Sequence, residues 1–277
     1  MTYATSDVTA DERGQTVLDA ATAVYRQALG ERLVSAYALG SLAHGGFASA
    51  VSDVDLALIL DNHLPGDQAT IDGTWQELRA SGSPLHQRLS VFWSSLAALR
   101  EDRADGRFPA IDRLDLVEHG RVLYGRDVKA GLPHPDRARL LEDSARFALS
   151  VFATDLAVDA FHQPAVLLDE FVRLTKIVLL PVRFLYTSAT GRVGSTDEAA
   201  DRYLAERKPV AAELVRTTMR WRHGHPFDRE QATALLNAHL VPLYLHYIDR
   251  QLTSLTPVNP DLAAEFTRWR ARLDGSQ

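Results

Sequence analysis

The stretch YALGSLAHGGFASAVSDVDLALIL, residues 37–60, decides the fold. Two short apolar runs with the composition of buried strands frame it: Leu33–Leu39, which ends at Gly40, and Val54–Leu60. Glycine, serine and alanine fill most of the connection between these runs, as expected of a turn-rich loop. The sequence therefore predicts two strands joined across a polar, glycine-rich bend.

The segments on either side of this stretch alternate between helical and strand patterns. Apolar residues recur at helical spacing up to Leu29, and a second helix is predicted for residues 70–80. Leu89–Trp93 has the composition of a third strand, and Arg113–Val122 is predicted to form a fourth. Strands interleaved with helices are typical of an α/β unit, which we expect over residues 1–135.

The pattern changes near residue 135. Long helical periodicities follow over Ala138–Phe161 and Val166–Tyr186, and two later segments, Thr196–Trp221 and Arg229–Leu252, also have helical patterns. A length of 277 residues fits about two domains. We therefore expect an all-α helical bundle over residues 136–277.

The composition excludes several classes of function. The chain has no cysteine, which rules out a thiol nucleophile and zinc sites built on thiolates. Its 30 basic and 36 acidic residues give a formal charge of −6, whereas nucleic-acid binders usually present a basic surface. The sequence has neither a secretory apolar core nor the ~20-residue apolar run of a membrane span. We expect a cytoplasmic protein without nucleic-acid or membrane partners.

Asp53 and Asp55 form an Asp-x-Asp pair at the start of the second strand of this stretch. Because side chains alternate along a strand, both carboxylates point to one face, with Cα atoms roughly 6–7 Å apart. Such a pair can bridge cations that clamp the attacking and leaving oxygens of a displacement at phosphorus. The pair predicts a magnesium site, because Mg²⁺ binds through one or two carboxylates together with substrate phosphates.

Gly40 and Ser41 follow the first of the two strands. Gly40 has no Cβ, so the backbone can turn sharply there and approach a ligand closely. Ser41 offers a hydroxyl and an amide at the start of a short helix, and helix N-termini attract anions. The pattern predicts that a triphosphate lies between Ser41 and the cations held by the two aspartates.

Leu39-Gly40-Ser41, eleven intervening residues and Asp53-Val54-Asp55-Leu56 together resemble the signature of the DNA polymerase β-like nucleotidyltransferase superfamily. The segment RFLYTSATGRVGSTDEAADRY, residues 183–203, is similar to the helical C-terminal domain of the two-domain streptomycin/spectinomycin-type aminoglycoside adenylyltransferases. The resemblance implies a nucleotidyltransferase domain with a mixed sheet and a helical bundle that closes a cleft over nucleotide and acceptor. It also implies Mg²⁺-dependent transfer of AMP from ATP to a hydroxyl group.

Two arginines match basic positions that approach the nucleotide in that family. Arg183 precedes the Thr-Gly helix stop at residues 190–191, and Arg192 follows it. The resemblance thus implies that Gly40, Ser41, Arg183 and Arg192 bind ATP.

The main departure from the family is its third carboxylate, which accepts the proton of the acceptor hydroxyl. The matching position is Ser90, and a serine cannot supply general-base help, which is typically worth about 10²–10⁴ in rate. We take Glu170 as the replacement base. Three further acids are candidates: Asp169 beside it on the predicted helix, and Asp115 and Glu118 on the predicted fourth strand.

The acceptor stays open at this stage. The resemblance implies a small hydroxylated, aminoglycoside-like molecule, yet Arg173 and Lys176 stand where an anionic surface would receive a polycationic drug. One alternative is a protein side chain as acceptor, as in antitoxin-type nucleotidyltransferases. The other is a catalytically degenerate nucleotide-binding module.

Overall fold

A computed structural model describes residues 10–80 and 82–275 of the chain. The described residues fall into two compact units, one that ends at His134 and one that begins at Pro135. The first unit has a four-stranded mixed sheet with helices, and every element of regular structure described in the second is helical. The expected fold class, an α/β domain followed by an all-α domain, is confirmed.

Strands and helices alternate along the first unit, as its sequence pattern predicts. Its elements are α1 (Ala10–Leu29), β1 (Leu33–Leu39), α2 (Ser41–His44), β2 (Val54–Leu60), α3 (Asp67–Ala80), β3 (Leu89–Ser95), α4 (Leu96–Arg100), α5 (Ala110–His119) and β4 (Arg121–Gly125).

The strands are ordered β3-β2-β1-β4, so β1 and β2 lie in the centre of the sheet. β1 is antiparallel to β2 and β4, whereas β2 and β3 are parallel and joined through α3. On the outer edge of β3, the Trp93 N–H donates to Arg107 O at 2.9 Å, and Arg107 Nη1 donates to Val91 O at 2.5 Å. The segment before α5 therefore covers this edge.

The two faces of the sheet bury alternate residues of the same strands. The even-numbered residues of β2 pack in a core with α1 and α3, whereas Ala57 and Ile59 pack in a second core with α4 and α5. Full burial of an aliphatic side chain stabilises a fold by about 1.5–3 kcal/mol, so this alternation fixes the register of β2. Asp53 and Asp55 follow the odd-numbered alternation and lie on the α5 side.

The fourth strand predicted for Arg113–Val122 is wrong. Helix α5 occupies most of that segment, and β4 begins only at Arg121. Ala110, Arg113 and Leu114 are buried at the i, i+3, i+4 spacing of a helix. The apparent alternation covered too few positions to exclude a helix, and the two acids expected on that strand lie on α5 instead.

The second unit packs its helices around an apolar and aromatic core that includes Phe161, Tyr244 and Trp269. The Tyr244 hydroxyl donates to Ile177 O at 2.9 Å within this core. The helices are α6 (Arg137–Phe152), α7 (Asp155–His162), α8 (Phe171–Thr190), α9 (Thr196–Leu204), α10 (Ala212–Arg222), α11 (Arg229–Leu255) and α12 (Pro260–Asp274).

Three of the four predicted helical segments are interrupted. The one predicted from Val166 begins in a short 3-10 helix, Pro164–Leu167, and becomes α-helical only at Phe171. The segment predicted over Ala138–Phe161 is divided between α6, which ends at Phe152, and α7, which begins at Asp155. Thr154 caps the start of α7, because its side chain accepts a hydrogen bond from the Ala157 N–H at 3.2 Å. The segment predicted from Thr196 is divided between α9 and α10, and Ala211 between them has a φ of 54°. Among the helices of the described residues, none is both long and apolar enough to span a bilayer.

Candidate active site

Gly40 forms the turn between β1 and α2. Its backbone angles, φ 61° and ψ −150°, lie in a region that is essentially restricted to glycine. A Cβ at this position would overlap the Asp55 carboxylate. The sequence therefore needs glycine here for two reasons, the backbone conformation and the close approach of Asp55.

Asp53 and Asp55 lie where β2 begins. Asp53 directly precedes the strand and Asp55 is its second residue, and both are half-buried. Asp55 is the register partner of Leu39, the last residue of β1, which brings its carboxylate beside Gly40. The structure thus joins Asp55 to the predicted phosphate turn, with Asp53 two residues away on the same face.

Ser90 lies beside Asp55 on the neighbouring strand. The two residues are register partners in the parallel pairing of β2 and β3, so their side chains share a face of the sheet. The residue that the sequence resemblance matches to a third carboxylate is therefore a half-buried hydroxyl next to Asp55.

Asp115 of α5 also contacts the Gly40 turn. The Gly40 N–H donates to Asp115 Oδ2 at 2.6 Å, and the Asp115 side chain is only 7% exposed. His44 Nε2 lies 4.0 Å from Asp115 Oδ1, and the ring of His44 packs edge-on against His119 at 5.3 Å between centroids. Sequence analysis placed Asp115 on a strand and therefore missed its role in holding this turn.

Arg88 holds the loop in front of Asp53. Its guanidinium donates to Ser52 O at 2.7 Å and to Ser49 O. Burial lowers the pKa of Arg88, and the charge of Asp53 partly offsets that effect. Sequence analysis did not single out this arginine, because nothing local indicates that it reaches the loop more than thirty residues earlier.

The residues around Asp55 fit a magnesium ion that binds with a polyphosphate. Among the residues described by the structure, no group of three or more His, Asp or Glu side chains could hold a metal by itself. Two carboxylates, with further oxygens from phosphates and water, are the usual donor set for Mg²⁺. The Asp55 carboxylate lies close against the Gly40 backbone, which places these oxygens beside the predicted phosphate turn.

The Thr-Gly turn of the second unit ends α8 as the sequence predicts. Gly191 adopts a left-handed conformation with φ 72°, and the Arg192 N–H donates to Thr190 Oγ1 at 3.1 Å. Arg192 is exposed, and Arg183 is half-buried two turns earlier on α8. Arg183 is therefore held within α8, and the backbone of Arg192 is held just beyond its end.

Arg222, at the end of α10, was not among the predicted site residues. Burial lowers its pKa, the charge of Asp197 acts in the opposite direction, and Arg183 lowers the pKa further. Asp197 also contacts His223 Nε2 at 2.6 Å. The Asp197 carboxylate therefore offsets part of the positive charge of Arg222 and Arg183.

Asp169 and Glu170 precede α8 and do not lie on it, because the helix begins at Phe171. The Glu170 carboxylate accepts a hydrogen bond from Arg173 at 2.9 Å, and the Asp169 carboxylate accepts one from Arg229 at 2.8 Å. Both carboxylates are exposed, and each is paired with an arginine of its own unit.

At the level of sequence, no family model and no curated protein matches the chain. A solved structure is similar: spectinomycin adenyltransferase AAD(9) from Enterococcus faecialis, determined with ATP and spectinomycin. The TM-score is 0.55 at 15% identity, over 83% of this chain and 98% of that chain. This likeness confirms the resemblance inferred from the sequence at the level of the fold.

Proposed function

We propose that the chain is a nucleotidyltransferase that moves AMP from ATP to a hydroxyl group of a small molecule and releases pyrophosphate. The observation that carries this proposal is the contact between Gly40 and Asp55. It puts a carboxylate pair and a glycine-serine turn at the same end of a central strand pair. The shared fold with an adenyltransferase solved with ATP supports the choice of nucleotide.

The residues of the first unit would bind and orient the triphosphate. Asp53 and Asp55 would hold Mg²⁺, which supplies positive charge to the phosphate oxygens and stabilises the charge that develops at phosphorus. Gly40 lets the backbone come close to the phosphates, and Ser41 offers its amide and hydroxyl. Asp115 acts as a positioning residue, because its carboxylate holds the Gly40 N–H.

The arginines of the second unit would neutralise the nucleotide. We assign this role to Arg183 and Arg192, as the resemblance implies. A planar guanidinium binds phosphate oxygens through two parallel hydrogen bonds, so an arginine is well suited to each position.

Glu170 is our candidate for the general base. Asp115 is committed to the Gly40 turn, whereas Glu170 is exposed and its hydrogen bond to Arg173 can exchange for one to a hydroxyl. If Glu170 removes the acceptor proton, Glu170→Gln lowers kcat by about 10²–10⁴. Glu265→Gln, an exposed change on α12, is the matched control and leaves kcat unchanged. An unchanged kcat in Glu170→Gln would exclude this role.

A small hydroxylated acceptor of the aminoglycoside type is the proposed substrate. The neighbour's spectinomycin supports this class. Ser90, beside Asp55, favours a second candidate function, a nucleotide-binding module without turnover, because a hydroxyl there cannot supply the carboxylate of the family.

Pyrophosphate release from ATP and Mg²⁺, measured with a panel of aminoglycosides that includes spectinomycin, tests the proposal. We expect release that depends on the acceptor and falls by about 10²–10⁴ in Asp53→Asn and Asp55→Asn, since cation binding contributes several kcal/mol. Asp61→Asn, an exposed change just after β2, is the control. ATP binding without release would favour the inert module. Label on a co-expressed protein would point to a protein acceptor.

A further inference from the structure

A cavity of about 250 Å³ lies in the helical unit. It is lined by residues of α6, α8 and α11, together with Val258, and it is partly open to solvent. The walls contribute the apolar side chains of Leu140, Leu141 and Phe184. Its volume is below the ~300–1,000 Å³ of sites for drug-sized ligands, so it suits an occupant of about one substituted ring.

Gln251 of α11 is the decisive residue of this cavity. The residue is 1% exposed and lines the cavity, yet neither Nε2 nor Oε1 has a hydrogen-bond partner among the described residues. Ser144 of α6, 6% exposed, lines the same cavity, and its hydroxyl is also without a partner there. Buried amides and hydroxyls are rarely left unpaired, because the loss of hydration is not recovered.

The chemistry of the walls restricts the occupant. A carboxamide presents one donor and one acceptor side by side, and the same kind of edge on a ligand satisfies both at once. Arg137, the cation among the lining residues, directs Nη2 to Ser188 O and Ala189 O at 2.8 and 3.3 Å. Its charge is therefore already engaged by the carbonyls at the end of α8, and an anion gains little from it.

We propose that this cavity binds a small neutral molecule that carries a carboxamide-type edge, such as a primary carboxamide or a lactam, on an apolar ring. The edge pairs with Gln251, the ring packs against Leu141 and Phe184, and the Ser144 hydroxyl binds a remaining polar atom.

Occupancy of the cavity bears on the turn that carries Arg192. Gly191, Ser188 and Thr187 line the cavity, so a ligand there packs against the last turn of α8. A bound ring would therefore restrict motion of that helix end.

Binding of benzamide to the full chain, measured by calorimetry and ligand-observed NMR, tests the proposal. Benzoate and acetophenone serve as matched probes that lack the donor. We expect benzamide to bind about tenfold more tightly than either, the ratio that one neutral hydrogen bond contributes. Gln251→Leu weakens benzamide binding about tenfold, whereas Gln231→Leu, an exposed change on the same helix, leaves it unchanged.

Three binding results would each overturn the proposal. They are equal binding of the three probes, tighter binding of benzoate, and unchanged benzamide binding in Gln251→Leu. A crystal soaked in benzamide that shows only ordered waters bonded to Gln251 would also exclude it. Ser144→Ala is the second variant, expected to weaken benzamide binding about threefold if Gln251→Leu does not fold. Benzamide binding that persists in Asp53→Asn separates this site from the proposed reaction.

Discussion

Replacement of Gly40 by alanine tests the geometry on which the candidate site depends. The change adds one methyl group at a residue with φ 61° and ψ −150°, where that methyl group overlaps the Asp55 carboxylate. Gly30→Ala is the matched control. Gly30 has a similar φ of 59°, but a Cβ there finds no atom within 4 Å.

The two variants separate backbone strain from side-chain displacement. A non-glycine residue in the conformation of Gly40 costs about 1–3 kcal/mol, and a left-handed residue at Gly30 costs about 1–2 kcal/mol. The overlap at Gly40 adds a further term, because Asp55 must move away. A displacement of about 1 Å in a positioned group can lower activity about 100-fold, so we expect at least this loss for Gly40→Ala and none for Gly30→Ala.

Urea unfolding and acceptor-dependent pyrophosphate release measure the two effects. A double-mutant cycle isolates the overlap: in an Asp55→Ala background, the additional destabilisation by Gly40→Ala should disappear and only the strain should remain. The reasoning is refuted if Gly40→Ala keeps wild-type turnover. It is also refuted if its destabilisation is unchanged when Asp55 is truncated.

Three further predictions concern groups that the structure shows to be held by hydrogen bonds or burial. Asp115→Ala should lower the free energy of unfolding by about 1–3 kcal/mol, because the Gly40 N–H loses its hydrogen-bond acceptor. Asp115→Asn should lower it less, since an amide oxygen can still accept that hydrogen bond. Urea unfolding measures both changes. Burial raises the pKa of Asp105, but hydrogen bonds from Ser95 and its neighbours outweigh burial and lower it, so this carboxylate stabilises the fold above pH 4. Stability should fall as the pH drops below about 4 towards that lowered pKa, and Asp105→Asn should flatten the acid limb of the unfolding profile. Burial lowers the pKa of His246 below 6.5, so stability should decline as the pH falls below about 6.5, and thermal unfolding of His246→Phe should lack this decline.

The sequence predicted the sheet well where two signals agreed. Leu33–Leu39 and Val54–Leu60 were assigned as strands from composition, and their bounds coincide with β1 and β2. Each run is apolar enough for a central strand and is bounded by glycine or a polar residue. Local pattern and tertiary environment therefore pointed to the same structure.

The sequence failed where an element was short and only partly buried. The segment that forms α5 places buried residues at helical spacing, but its ten residues include four charged side chains, which obscured that period. The helix bundle was predicted as a class, whereas its breaks depend on single caps such as Thr154. A cap is recognisable only once the chain direction on both sides of it is known.

Some contacts of the candidate site could likewise be predicted from the sequence, and others could not. Gly40 and Asp55 could be linked from sequence, because a strand end and a strand start with fixed spacing constrain where they meet. Arg88 and Asp115 could not, since they reach the site across 36 and 75 positions of the chain through side-chain hydrogen bonds. The relation between Arg222 and Arg183 is also a product of helix packing that no local pattern encodes.

The covering of the β3 edge by Arg107 has a consequence for how the protein behaves at high concentration. An uncovered edge strand offers unpaired backbone groups to a second molecule and promotes aggregation. On β3, the outward groups of Val91 and Trp93 are already bonded to Arg107, and at the opposite edge β4 has only five residues and begins with a charged side chain. Neither border of the sheet is a good template for intermolecular strand pairing, which protects the protein while it is crowded during synthesis.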